Sequence, residues 1–261
     1  MARKYELTDE TIIIGNKVLH RIRALVYIPK YNVKTGDLGG FIEKESNLSH
    51  NGECWIYDVA RVFDNARITG SALINGNAWI YGNACISDDA RILDNARIYG
   101  YACIHGNARV FGNACVYNGA RVFGNASIYG DACVCGGARV YGDAYIYGNA
   151  RIFGSSWVCD NARVLGNAWI CGDARVCGGA RIVQGKYHIS TMHITVLPYN
   201  VTAIYPNHVQ IGCQLFEICD KEKAIETMEM FNISREYHEQ IWLSVQLCKQ
   251  WLKDNPEKGD E

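Results

Sequence analysis

The amino-acid sequence predicts an all-β fold, a parallel β-helix wound from six-residue repeats, and three observations predict it. Alanine returns at every sixth position from Ala60 to Ala180, with Ser156 the only substitute among 21 positions. Two residues after each of these positions, from Val62 to Ile182, stands valine or isoleucine without exception. Before most of the alanines lies Gly-Asn, Gly-Asp or Asp-Asn, so the unit reads Gly-Asn-Ala-x-Ile/Val-x. In an extended strand successive side chains point to opposite faces, which sends Ala and Ile/Val inward and the two x residues outward. Gly and Asn tolerate the positive φ of a tight turn, so the pair makes a corner. A single hexad buries too little to stand alone, and neighbours must stack.

The elements follow in order along the chain. Residues 1–53 contain alternating segments such as Val18 to Ile28 and predict a β-rich cap over the open end of the stack. Within them Gly36-Asp37-Leu38-Gly39-Gly40, with Asp37 and Glu43 at its flanks, lacks the spacing of a phosphate loop and is expected to shape a bend at the entrance. Residues 54–185 hold the repeat. In 186–219 the six-residue register is gone. Tyr187 to Ile218 is rich in β-branched and aromatic residues with breaks at Pro198 and Pro206, which predicts two to four strands. Residues 220–261 predict one helix over Lys221 to Phe231 and a longer one over Ser234 to Lys253, with Ser234 as N-cap. On the longer helix Tyr237, Ile241, Val245, Cys248 and Leu252 share one face, and Trp242 and Trp251 widen its apolar surface.

Composition narrows the function classes. A net charge of -1 and a pI of 6.6 give no overall bias toward nucleic acid or anionic membrane. The charged start Met1-Ala2-Arg3-Lys4-Tyr5-Glu6 is no signal peptide and no run of 18 apolar residues occurs, so a cytoplasmic protein without a membrane partner is expected. In a reducing compartment the 12 cysteines are expected to be free thiols. No metal site is expected, because Cys133-x-Cys135 is the closest cysteine pair. His188, His193 and His208, with Cys213 and Cys219, also lack closely spaced ligand pairs.

The interval from Ile/Val to the next Ala resembles the inward positions of left-handed β-helices in hexapeptide-repeat proteins, where three hexads close a triangular coil of 18 residues. The common acyltransferase version places Gly one residue after the aliphatic position. Here it comes two after, as at Ile104 and Gly106 before Asn107-Ala108-Arg109-Val110. That variant resembles the YdcK-like hexapeptide proteins and related phage or prophage proteins, whose biochemical role is not established. The resemblance covers residues 54–185 and implies a left-handed coil; about seven coils at a strand spacing of roughly 4.8 Å make a prism on the order of 34 Å long. For a phage-type member it also implies a protein that binds and blocks a host factor, such as a bacterial defence component.

Stacking at 18 residues sorts the outward positions into columns. One face carries Arg61, Trp79, Arg97, Cys115, Cys133, Arg151 and Trp169 beside Phe63, Tyr81, Tyr99, Tyr117, Cys135, Phe153 and Cys171. Rings on neighbouring rungs can stack on one another and need no partner, but a surface this aromatic also marks a protein interface. The arginines and rings of this face, together with Ile241, Trp242, Val245 and Trp251, are the candidate interface of a self-associating, non-catalytic scaffold, a dimer or trimer without cofactor. An Arg two residues before a Tyr is expected to stack on it, worth roughly 0.5–1 kcal/mol when exposed. Nucleic acid is disfavoured: between Asp58 and Val183 stand 11 Arg, no Lys and 9 Asp, and the corner aspartates are expected to pair with the arginines. The hexapeptide resemblance also suggests an acyltransferase using coenzyme A, with a histidine as general base. His105 is the only histidine inside the repeat and a weak candidate, since no inserted loop walls a pocket beside it.

Overall fold

A computed structural model describes residues 3–184, 186–187, 193–196, 199–204, 208–211, 214–217, 221–230 and 233–254; its described side chains are those of 3–184 and, from 221 onward, all but those of 223, 227, 230, 251, 252 and 254. Each hexad folds into a two-residue rung, from Trp55–Ile56 to Arg181–Ile182, whose aliphatic residue points inward. Rungs pair in parallel with those 18 residues on, Arg97 with Cys115 and Ile98 with Val116. Three sheets of 11, eight and seven strands result and form the sides of the coil. Backbone donors reach the next coil throughout: Arg97 N–H to Ala114 O at 2.9 Å, Tyr99 N–H to Val116 O at 3.1 Å and corner Asn95 N–H to Gly112 O at 2.9 Å. The buried main chain is thereby satisfied. The alanines and the Ile/Val column are sealed from solvent. Ser156, the one departure from alanine, is buried and its hydroxyl donates to Phe153 O at 2.8 Å, so the interior tolerates it.

The corner divides its labour differently from the expectation. Only the first residue of each pair has positive φ: Gly at most corners, and Asp58, Asp64, Asp88, Asp94, Asn118 or Asp160 at the others. The following Asn does not take that conformation. It builds a ladder instead, with Asn77 Nδ2 donating to Asn95 Oδ1 at 3.2 Å, and Asn95 in turn to Asn113 at 3.2 Å. At Gly100, with φ at 68°, an added Cβ would sit 2.8 Å from Asn118 N, so glycine is required on both counts.

The cap is a continuation of one side of the coil. Strands β1 (Tyr5–Ile14) and β2 (Lys17–Ala24) form an antiparallel hairpin, and β3 (Leu38–Ile42) pairs with β2 on one edge and in parallel with Arg61–Val62 on the other. Coil pairing therefore begins at Phe41, ahead of the alanine register. The Gly-rich segment is a strand pressed onto the coil: a Cβ on Gly39 would meet Ile56 O at 2.6 Å, and one on Gly40 would meet Ala60 O at 2.6 Å. Asp37 closes the preceding turn by accepting Lys34 N–H, and Glu43 accepts Asp64 N–H. Tyr5, Ile22, Ile28, Val33, Leu48 and Trp55 plug the end of the interior, with the Tyr5 hydroxyl donating to Leu48 O at 2.7 Å.

Past the coil, Lys186–Tyr187 pairs with Trp169–Ile170 as the last rung. Four strands, His193–Val196, Tyr199–Ile204, His208–Ile211 and Gln214–Glu217, form a separate antiparallel sheet, at the upper end of the expected number. Helices α1 (Lys221–Met230) and α2 (His238–Asp254) follow. Ser234 is not the expected side-chain cap: it precedes a 3-10 turn, Arg235–Tyr237, in which its carbonyl accepts Tyr237 N–H at 3.0 Å while its hydroxyl makes no capping bond. Helix α2 packs on the strands at 193–196, 199–204 and 208–211. Among the described residues no helix is long and apolar enough to cross a membrane.

Candidate functional site

The 11-stranded side carries the expected columns. Arg61, Trp79, Arg97, Cys115, Cys133, Arg151 and Trp169 align rung on rung. Beside them the rings of Phe63, Tyr81, Tyr99 and Tyr117 stack face to face, with centroids 5.1, 4.9 and 4.8 Å apart. The rung spacing itself sets this distance, because equivalent side chains on a parallel sheet are held at about 4.8 Å. Burial raises the phenol pKa of Tyr81 and Tyr99, and the Cys135 sulfur beside Tyr117 raises it there, so the three tyrosines stand as neutral hydroxyls.

The hairpin adds to this face. Leu19 and Phe41 bury Phe63, and Ile12, Ile14, Trp79 and Tyr81 pack around that cluster. An apolar strip thus runs from the cap to Tyr117. Phe63, at 6% exposure, belongs to its foundation and cannot itself meet a partner. The sequence reading missed the contribution of Ile12, Ile14 and Leu19; the alternation in β1 held the signal, but not which edge of the stack the hairpin would join. Farther along, Trp169 is more than a third exposed with Phe153 edge-on to it, and Arg151 lies over its ring at 5.1 Å.

Ring ladders are not confined to this side. His105, Phe123 and Tyr141 stack on the seven-stranded side, and Phe111, Tyr129 and Tyr147 on the eight-stranded side. The guanidinium contacts correct the expected Arg-to-Tyr pairing within a strand. Arginines stack across coils instead: Arg61 on Trp79 at 5.2 Å, Arg163 on Tyr145 at 5.7 Å, and Arg139 and Arg175 on opposite sides of Trp157. A rung is two residues long, so the second outward residue already enters the corner, whereas the cross-coil neighbour lies one rung away. The corner aspartates, expected to pair with arginines, turn to the main chain: Asp58, Asp64, Asp88, Asp94 and Asp160 each accept the N–H of the glycine one coil on, as Asp94 does from Gly112 at 3.0 Å.

Helix α2 overturns two interface candidates. Ile241 and Val245 are buried with Cys248 on the side of the helix that packs on the sheet, while Leu243 and Leu247 are 62% and 56% exposed. Trp242 is half-buried, and the side chain of Trp251 lies outside the described residues. His105 lies flat on Phe123, with its Nδ1 3.8 Å from Asp88 Oδ2, and no loop leaves the coil beside it.

The thiols also differ from expectation. Cys159 and Cys177 are joined in a disulfide, with Cα atoms 4.6 Å apart. The 18-residue register brings equivalent positions within bridging distance, a constraint that operates whatever the compartment. These two sulfurs group with the Asp160 carboxylate, but the bridge occupies both. Of the histidines and cysteines beyond the repeat, from which no metal site is expected, His188, Cys213, Cys219 and the side chains of His193 and His208 lie outside the described residues.

Residues 60–76, 144–160 and 158–172 match the model of the YdcK beta solenoid repeat. No curated protein matches the chain.

Proposed function

We propose that this chain, a YdcK-like repeat β-helix, is a non-catalytic protein-binding scaffold that pairs with a second copy of itself through the 11-stranded side. The observation that carries the reading is the apolar strip from Ile12 and Trp79 through Tyr81 and Tyr99 to Tyr117, rigid because its rings already pack on one another. Ordered tyrosines with outward hydroxyls dock at low entropic cost. Self-pairing follows from the two columns standing side by side. A two-fold axis parallel to the rod sets the mixed Arg, Trp and Cys column of one copy against the ring column of the other, so that Arg97 faces the partner copy's tyrosines.

Mass in solution tests this. The reading expects a dimer for the native chain, and monomers with unchanged circular dichroism for Tyr99→Asp and Trp79→Asp. A strict native monomer overturns it. The narrower reading, a phage-type protein that blocks a host defence factor, rests on the resemblance of the repeat and puts a different occupant on the same face. Affinity capture from host lysate tests it, and retention of no host protein counts against it.

A further inference from the structure

Two cysteines on the seven-stranded side have the same 18-residue separation as the bridged pair, but precede the inward aliphatic residue where that pair follows it, and are free. Cys85 and Cys103 are in-register partners on adjacent coils, each half-buried and outward. Arg67 is the register partner of Cys85 on one side, and Arg121 that of Cys103 on the other, so two thiols are bracketed by two guanidiniums. The Cys103 thiol is hydrogen-bonded to the Cys85 sulfur. That bond and Arg67 hold the Cys85 thiol down to about 6 against the burial and the Asp88 carboxylate, which act the other way. Cys85 also lines a surface hollow with Ser46, Asn65, Arg67 and Asn83, which offers amides and one cation to an incoming anion.

We propose that Cys85 and Cys103 form a thiol–disulfide exchange site, with Cys85 the attacking and Cys103 the resolving thiol, acting on an anionic low-molecular-weight peptide disulfide. The Cys85 thiolate attacks one sulfur of that disulfide, forming a mixed disulfide and releasing one thiolate. Cys103 then attacks the Cys85 sulfur, the mixed bond breaks, and the second thiolate leaves. Two protein thiols are oxidised to one cross-coil disulfide, the small disulfide is reduced to two thiols, and the two protein protons end on those products. The register supplies the resolving geometry, since the equivalent spacing at Cys159 and Cys177 already accommodates a bridge.

Three other thiols are built-in comparisons. Cys115 and Cys133 are also in register between Arg97 and Arg151, but burial raises the Cys115 thiol, and Cys133 is raised by its hydrogen bond to Cys135. Cys135 is lowered to about 6, yet its column neighbours are Tyr117 and Phe153, so a mixed disulfide there has no in-register cysteine to resolve it.

At pH 7, Cys85 has about ninety times the thiolate fraction of a thiol at 9.0, and its lower basicity takes back about twentyfold, leaving a rate advantage of about fourfold. The test treats the full chain with oxidised glutathione at pH 7, quenches by alkylation and maps tryptic peptides by mass; Arg91 and Arg97 separate the two cysteines into different peptides. The native chain is expected to give a Cys85–Cys103 cross-link. Cys103→Ser, which keeps a hydroxyl donor beside Cys85, is expected to trap glutathione on Cys85 at least about fourfold faster than on Cys115, whose thiol is raised by burial, and Cys85→Ser to leave Cys103 unmodified over the same time. A native chain that keeps a glutathione adduct on Cys85 without the cross-link overturns the proposal, as does equal labelling of Cys85 and Cys115 in Cys103→Ser. Neither outcome depends on whether the opposite face pairs two copies.

Discussion

Replacing Ile98 by alanine tests whether the interior is a packed solid column. Ile98 is sealed from solvent and lies in register between Ile80 and Val116, which are equally buried. The change removes three carbons, a transfer loss of about 2.4 kcal/mol at about 0.8 kcal/mol per group. The rungs above and below are fixed by Tyr81 N–H to Ile98 O at 3.0 Å and Tyr99 N–H to Val116 O at 3.1 Å, so the neighbours have little freedom to close the void. A remaining cavity on the order of 50 Å³ adds about 1.2 kcal/mol at about 24 cal/mol per Å³, for a total of about 3.6 kcal/mol. Ile98→Val should cost about 1 kcal/mol, and Arg109→Ala, outward on the eight-stranded side, within about 0.5 kcal/mol. Urea unfolding followed by far-ultraviolet circular dichroism measures all three. An Ile98→Ala loss below about 1 kcal/mol, no larger than that of the valine variant, would refute the reasoning, because it would mean this rung has no close-packed interior to lose.

Three other perturbations probe the corners, the bridge and the rings. The Cys159–Cys177 bridge closes a loop of 18 residues, worth about 3 kcal/mol of chain entropy; Cys159→Ser should lower stability by up to that amount and abolish any effect of reductant on the unfolding midpoint. Asp94 has φ at 58° and accepts Gly112 N–H; Asp94→Ala should cost about 1–2 kcal/mol, and Asp94→Gly distinctly less because glycine takes that φ freely, a ranking read by thermal unfolding. Tyr5, Tyr81, Tyr99 and Tyr129 have phenol pKa values raised by burial. The folded state then holds protons that the unfolded chain releases, so their stabilisation is complete below the unfolded value near 10 and is lost as pH rises above it. The last part of the phenolate absorbance near 295 nm should therefore rise together with loss of circular dichroism; all 16 tyrosines forming phenolate in a fully folded protein would contradict this.

The six-residue period made the interior legible because one physical demand, a small and a branched aliphatic residue on the same face, recurs at every rung. The corners were half legible. Gly, Asn and Asp all tolerate positive φ, so composition could not tell that Asn77 and Asn95 serve a side-chain ladder while Gly76 and Asp94 carry the turn. Separations of 18 between Cys85 and Cys103 and between Cys159 and Cys177 were present in the sequence, and coil stacking turns them into contacts. The last helix shows the opposite limit. Periodicity put Ile241, Val245 and Cys248 on one face, but only the packed sheet revealed that this face is covered and that Leu243 and Leu247 are the outward pair.

Wherever an Asp or Asn occupies the positive-φ corner between Asp58 and Asp160, the residue 18 further on is glycine. This makes the rod modular in length. Excising residues 101–118 would join Gly100 to Gly119 and seat Asp88 over Gly124 and Asp94 over Gly130, a glycine beneath each aspartate as before. The shortened rod keeps both termini and loses one storey of about 4.8 Å, so gene duplication or deletion in whole coils can tune its reach without redesigning either end.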